Sequence, residues 1–442
     1  MYAFVLLVLL SCSDDNSEDP VMEINEFKGE VAWITSFGGS GDDTPRSVIS
    51  TSDGGYAIFG FSNSTDGDLV GKTTNVNDYW LVRLDTDGTL LWSRTYGGSK
   101  DDRGQAVIET SDGGFAITGY AMSDDGDASN NEGFHDNWIL KLDSQGNVEW
   151  EQSFGFSGHD HSYDLVESED GALFFTGFLD ITSARADGYT GKSYTITRHG
   201  VGEFWGTQLN REGELEWREY FGGTNNDRAH AVVNAHGGGY VMAGFSESDD
   251  FDITDPNGSY DFWVVKIDAN GQLVWEQSYG GSGIDIAQDI AKTEDGGYVI
   301  TGSTISTDGD VAVSHGGSEI WVVKIDTMGN MLWERTYGGS NFEAAESIRP
   351  TADGGFVIAG NAKSTDQDLS TNAGENDLWV LKIDAQGQMI WQQAYGGTNL
   401  EFGFDALETE DKGILVVGES NSTDLIPLLN KGGTDLVVIK IE

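Results

Sequence analysis

The chain has 442 residues, 74 of them acidic and 24 basic, for a formal net charge of −50 at pH 7. A field of that sign repels phosphate backbones and excludes nucleic acid as a partner class, while it favours solubility and draws cations. With 61 glycines against 5 prolines, short Val/Ile/Tyr/Phe/Trp runs between Gly/Asp/Asn/Ser clusters and no long stretch of helical period, the composition excludes a helical fold and predicts an all-β one.

In chain order the first element is residues 1–10, almost wholly apolar. Ten such residues are too few to cross a bilayer and enough for the core of a signal peptide. Cys12, the chain's one cysteine, follows; no disulfide framework or cysteine-built metal site can form. Leu9-Leu10-Ser11-Cys12 resembles the lipobox of bacterial lipoproteins, and Ser13-Asp14-Asp15 resembles the acidic export signal of Bacteroidetes surface lipoproteins. The resemblance implies a signal peptide over residues 1–11, lipidation of Cys12, an acidic tether over 12–24, and a bacterial outer-membrane location facing the cell exterior. One departure is the absence of any Lys or Arg before the apolar run. Several acyl chains would anchor stably where one binds only marginally.

Residues 25–442 are a repeat. Seven of the 13 tryptophans, Trp33, Trp92, Trp150, Trp217, Trp275, Trp333 and Trp391, follow one another at 58 or 59 residues, with a single interval of 67 across the third unit. The other six, Trp80, Trp138, Trp205, Trp263, Trp321 and Trp379, each precede the next member by 12, and Val437 takes the seventh place. A fixed long period marks a stacked or radial architecture. One unit reads as four strands: Gln105–Thr110, Phe115–Tyr120, Asn137–Leu142 and Val148–Phe154. Tight turns at Ser111-Asp112-Gly113-Gly114 and Asp143-Ser144-Gln145-Gly146 carry glycine where a hairpin needs positive φ. Four antiparallel strands repeated radially make a β-propeller blade, and both tryptophan series are assigned to core packing. The chain ends on a third strand (Thr434 to Glu442) and starts on a fourth (Phe27 to Trp33). The expectation is seven blades, the last closed by the N-terminal strand, which leaves no open edge.

The longer loops share one face, where function in repeat folds gathers. An acid occupies one interblade position in all seven units: Asp43, Asp102, Asp160, Asp227, Asp285, Glu343 and Glu401. These are candidates for an acidic ring at the channel mouth that collects cations, or for caps on backbone N–H groups. A basic residue recurring in the third strand (Arg83, Lys141, Lys266, Lys324, Lys382, Lys440) offers them a partner. A second pattern sets Asp-x-Asp in the long loop and an acid at the start of strand three: Asp66, Asp68, Asp78; Asp125, Asp127, Asp136; Asp250, Asp252, Asp261; Asp308, Asp310, Glu319; and Asp366, Asp368, Asp377. Ca²⁺ takes six to eight oxygens, which such loops can supply, so these are candidate metal ligands. Asp and Asn also fill loops as turn formers.

The third unit breaks the symmetry. It is longer, lacks Asp-x-Asp, and carries His159, His161 and His199, with His230 and His236 nearby in the next unit, a candidate metal or ligand cluster. Tyr189, Tyr194 and Trp205 are candidates for stacking on a sugar.

WSRTYGGSKDDRGQAVIETSDGGFAITGY and WERTYGGSNFEAAESIRPTADGGFVIAG resemble the YGG/DGGY repeat propellers of Bacteroidetes-type secreted and surface proteins. A fainter resemblance is to quinoprotein-type blades, whose third hairpin also reads Asp-x-x-Gly-x-x-x-Trp. Outer-membrane assembly lipoproteins use that blade with no cofactor, so the resemblance implies a scaffold over an oxidoreductase. No Gly-x-Ser-x-Gly, His-Glu-x-x-His or phosphate-binding loop occurs. The expected function is a lipid-anchored, non-catalytic binding or scaffold module for a protein or glycan partner, with no catalytic or cofactor-binding residue assigned and Ca²⁺ as a candidate stabiliser. The alternatives are a propeller glycosidase or lyase, or a carbohydrate-binding lectin.

Overall fold

In the computed structural model, which describes residues 27–156, 158–179, 202–425 and 430–442, the repeat becomes seven four-stranded antiparallel sheets. Six pair their strands in sequence order, and the seven stand in a ring as a seven-bladed β-propeller. Blades one to six cover residues 43–96, 102–154, 160–221, 227–279, 285–337 and 343–395. Blade seven takes three strands from 401–441 and its outer strand, Val31–Phe37, from the N-terminus, paired to Asp435–Ile441 from Val31↔Ile441 to Phe37↔Leu436. The expected closure is present.

Burial follows strand position. The third strands lie against both neighbouring blades and are buried almost end to end, as in Asp78–Leu84, Glu319–Ile325 and Asp435–Ile441. That is why they read as unbroken apolar runs. Outer strands such as Leu90–Tyr96 are only half buried. The core falls into seven apolar clusters, one at each blade junction, instead of one central mass.

The two tryptophan series hold these layers differently. Trp80, Trp138, Trp205, Trp263, Trp321 and Trp379 are at most 2% exposed. Most donate the indole N–H to the outer strand, as Trp263 does to Glu276 Oε2 at 2.8 Å and Trp379 to Gln392 Oε1 at 2.8 Å. The outer-strand tryptophans reach the next blade. Trp33 lies on Gly88, Trp333 on Gly387, and Trp391 on Gly29 across the closure. Gly88 holds φ +78°, a left-handed turn position where a Cβ would be strained and would collide with the indole. Tyr96 and Tyr337, from the YGG motifs, add a hydroxyl donated to the same turn's carbonyl, on Gly146 at 2.7 Å and Gly387 at 2.6 Å. A local signature thus carries an interblade contact.

Each inner strand begins at the interblade acid itself, as in Asp102–Glu109, three residues before the apolar alternation starts. It then bulges. In all seven blades the register slips by one residue between the third and fifth positions, for example between Pro45 and Ser47 and between Gly403 and Asp405.

Candidate functional site at the channel mouth

The bulge leaves the fourth residue of every inner strand outside the ladder and re-aims its side chain. The seven residues so placed are Arg46, Gln105, Tyr163, His230, Gln288, Glu346 and Phe404, and they line one cavity of about 260 Å³ on the propeller axis. Scaffold positions in this chain repeat Gly, Asp, Tyr and Trp, whereas this position holds six residue types in seven blades.

Arginines and aromatic rings gather around the cavity. The Arg46 guanidinium stands 4.4 Å from the Phe404 ring, Arg228 4.2 Å from Phe178 and Arg103 5.3 Å from Phe61. Tyr120 stacks on His161 with centroids 3.8 Å apart, and Tyr163 meets His230 edge to face at 5.3 Å. In a chain of net charge −50 this sector sets three arginines among aromatic rings. Two carboxylates lie near it. Burial raises the carboxyls of both Glu346 and Glu419, and the charge of Arg46 opposes the rise in each. Glu419 also accepts the Thr44 hydroxyl at 2.6 Å.

Between blades two and three three imidazoles converge. A parallel bridge sets His135, just before the third strand of blade two, beside His159, just before the inner strand of blade three. His135 Nδ1 is 3.1 Å from His159 Nδ1 and 3.3 Å from His161 Nε2. Burial, reinforced by the neighbouring imidazoles, lowers the pKa of His135 to about 4 and of His161 to about 2, so both are neutral at pH 7. His230 is lowered to about 4 by burial; its Nδ1 lies 2.8 Å from Ala287 O. His236 belongs elsewhere, on the tight turn of blade four, where its N–H bonds Tyr298 Oη at 3.0 Å. His199, Tyr189, Tyr194 and Cys12 lie outside the described residues. Trp205 is fully buried beside Phe175 and Tyr220, so its face is not open to a sugar.

The seven interblade acids, Asp43, Asp102, Asp160, Asp227, Asp285, Glu343 and Glu401, are at most 1% exposed. Each accepts the backbone N–H of the residue four before it, as Asp43 does from Gly39 at 2.7 Å, Asp160 from Phe156 at 2.6 Å and Glu401 from Gly397 at 2.7 Å. Hydroxyls of the second strand and long loop add to this, such as Ser64 on Asp43 at 2.9 Å and Ser420 on Glu401 at 2.7 Å. These bonds occupy the carboxylate oxygens and buckle the interblade loop to the blade. The third-strand cations do not pair with them. Arg83, Lys141, Lys324, Lys382 and Lys440 pair instead with Asp53, Asp112, Asp295, Asp353 and Asp411, from the tight turn that the antiparallel register brings beside the strand's other end. In blade four, where Gly237 stands in place of that Asp, Lys266 approaches the His236 carbonyl at 3.5 Å.

The Asp-x-Asp loops hold the same Gly-Gly segment from outside. Asp66, Asp125, Asp250, Asp308 and Asp366 accept the N–H of Ser40, Ser99, Thr224, Ser282 and Ser340 at 2.7–2.9 Å. Asp68, Asp127, Asp252, Asp310 and Asp368 accept that of Gly38, Gly97, Gly222, Gly280 and Gly338 at 3.0–3.2 Å. The acids opening strand three use one oxygen likewise: Asp136 accepts from Glu132 at 2.6 Å, Asp261 from Asn257 at 2.6 Å and Asp377 from Ala373 at 2.8 Å. Glu319 takes His315 Nδ1 at 3.0 Å, and Asp78 takes Lys72 Nζ at 2.9 Å. The second oxygen of Asp78, Asp136, Asp261, Asp377 and Asp435 is buried with no partner. Burial raises Asp78, Asp136, Asp261 and Asp435 to about 6. Asp435 and Glu203 complete this set in the two blades that the sequence pattern missed, and Asp424 does the work of Asp66 in blade seven, accepting from Thr398 at 2.9 Å.

No protein-family profile matches the chain. One segment is 24% identical over 168 residues to the regulatory protein FlaEY of Caulobacter vibrioides, covering 36% of this chain and 18% of that protein. The chain therefore spans less than a fifth of that curated relative. Among solved structures, the WD40 domain of Neurospora crassa Pan2 superposes with a TM-score of 0.50 over 92% of this chain and 95% of that one, at 8% identity. A Bacteroides caccae protein of unknown function gives a TM-score of 0.39 at 12% identity, over 76% of this chain and 93% of that one. The likeness to the Pan2 domain is one of fold.

Proposed function

We propose that the protein is a non-catalytic binding module whose recognition site is the loop-side mouth of its channel, held at the outer membrane through lipid on Cys12 and facing the exterior, with a protein or glycan as partner. The observation that carries this is the divergence at the bulge. Seven strands share one geometry, yet the residues they turn into the channel are of six types, from Arg46 through Tyr163 to Phe404. Repetition at the turn glycines, the tryptophans and the interblade acids answers to folding, and divergence at the channel suits a single asymmetric ligand. Aromatic faces and arginine forks suit sugars and polar protein surfaces. Ca²⁺ enters this reading as a stabiliser of the loop face, supported by the unpartnered oxygens of Asp78, Asp136, Asp261, Asp377 and Asp435.

The test is binding of the native chain to a glycan array and to intact outer membranes, beside the Tyr163→Ala and Arg46→Ala variants. Capture that falls at least about tenfold in both variants supports the channel site. Binding that both variants retain refutes it.

A second reading, a glycoside-cleaving enzyme, draws on Glu346 and Glu419, two carboxyls raised by burial beside one arginine. Such enzymes work with a pair of carboxyl groups roughly 5–10 Å apart. Sugar release that vanishes in both Glu346→Gln and Glu419→Gln would decide for it.

A further inference from the structure

We propose that His135, His159 and His161 form a binding site for a transition-metal ion of the Zn²⁺ class at the junction of blades two and three. Three nitrogens on three separate side chains all lie within 4.8 Å of one another. Two of the separations, 3.1 and 3.3 Å, are those between ligands of a tetrahedral ion at about 2.0–2.1 Å from each imidazole.

Hydrogen bonding among the rings does not account for the geometry. An imidazole nitrogen carries either one proton or one in-plane lone pair, so His135 Nδ1 cannot make a good bond to both His159 and His161. The other nitrogen of His135, Nε2, is buried with no partner. An ion at the centre of the three gives each converging lone pair the same acceptor.

The surroundings prepare the site. His161 Nδ1 lies 3.3 Å from the Tyr163 hydroxyl, and a bond there directs Nε2 toward the cluster. Tyr120 stacks on the His161 ring and fixes its plane. His159 is exposed, so the coordination sphere stays open to water on one side. Among the described residues the arrangement is confined to this junction. The same parallel bridge elsewhere joins Tyr260 to Ile284, Ser318 to Phe342 and Asn376 to Leu400, none of which offers a ligand pair.

An all-imidazole set selects Zn²⁺, Cu²⁺, Ni²⁺ or Fe²⁺ over the oxygen-seeking Ca²⁺ and Mg²⁺. The site is therefore distinct from any Ca²⁺ held by the acidic loops, and it does not rest on the channel being a recognition site. Because His135 comes from blade two and the other two from blade three, the ion would also tie these blades together.

The experiment uses the full chain, stripped with EDTA and titrated with Zn²⁺ against a chromophoric chelator, then with Co²⁺ for its visible spectrum. The expected result is one ion per chain, a low-coordinate Co²⁺ spectrum, no displacement by excess Ca²⁺, and a higher unfolding midpoint with metal. His159→Ala and His161→Ala should each weaken Zn²⁺ by about 100-fold, the loss of one ligand in three. His159 is exposed, so its variant keeps the fold and serves if His161→Ala unfolds. Failure to take up one Zn²⁺ per chain, or uptake unchanged in His159→Ala, overturns the proposal.

Discussion

At the start of the third strand of blade four, Asp261 is 2% exposed, accepts the Asn257 N–H at 2.6 Å through Oδ2, and leaves Oδ1 buried without a partner. Burial is the main cause that lifts its carboxyl to about 6, with the charges of Asp285 and Asp310 adding to it. A folded pKa above the unfolded one, about 3.9, means that the native state binds the proton more tightly. The stability this lends is complete below pH ~4 and lost as pH rises through 6. Asn keeps the acceptor for Asn257 and cannot ionise. Asp261→Asn should therefore be no more stable than the native protein at pH 4 and more stable at pH 7.5, the difference moving by up to about 2–3 kcal/mol. Denaturant melts at the two pH values check this. A gap that does not move with pH would show that the acid is not perturbed. If Ca²⁺ binds there, added Ca²⁺ would raise the midpoint of the native protein and leave that of the variant unchanged.

Across blade junctions the same chemistry becomes a latch between inner strands. Asp164, Asp289 and Asp405 each accept a backbone N–H from the next blade, from Val232 at 2.8 Å, Ile348 at 2.8 Å and Val48 at 3.0 Å. Arg349 bridges two of them, reaching Asp289 and Asp405 at 3.1 Å each. Asp289→Ala leaves the Ile348 N–H without its acceptor, a cost of about 1–3 kcal/mol. Ala106 and Ala231 occupy the same place in blades two and four, so alanine fits the strand and the fold should persist. A lowered midpoint with an unchanged β spectrum is expected; no change in the midpoint would show that the latch adds nothing. These contacts mark where the sequence stops being readable. The turn glycines and the Trp-plus-12 spacing are local, and they state blade number, strand order and closure outright. The bulge is a property of pairing between strands, and no residue type announces it when Arg46, Tyr163 and Phe404 share the position. His135 escapes a linear reading for the same reason, since it meets His159 across a junction, 24 residues away. The recurrence of that offset at Tyr260 and Ile284, and at Asn376 and Leu400, is the one signal that could have paired them.

For the molecule as a whole, the question is what a net charge of −50 does to a ring whose interior acids are already committed to backbone N–H groups. Those bonds are sheltered from solvent and respond little to salt. The exposed remainder repels itself through water, where the Debye length falls from roughly 30 Å at 0.01 M to 8 Å at 0.15 M salt. Unfolding lets like charges move apart, so screening should favour the native ring. The unfolding midpoint at pH 7.5 should accordingly rise between 0.01 and 0.5 M NaCl and level off as the screening length drops below the spacing of surface charges. Metal binding gives a different curve. At matched ionic strength, CaCl₂ that only screens will trace the NaCl result, whereas occupied loop sites add a saturable rise that EDTA removes. Stability linked to a bound ion grows with the logarithm of its concentration above Kd, about 1.4 kcal/mol per decade, and that slope separates a site from an atmosphere. A midpoint indifferent to NaCl would mean that loop-face carboxylates such as Asp66, Asp125 and Asp308, each tied to a backbone N–H, carry no net repulsion in the folded ring.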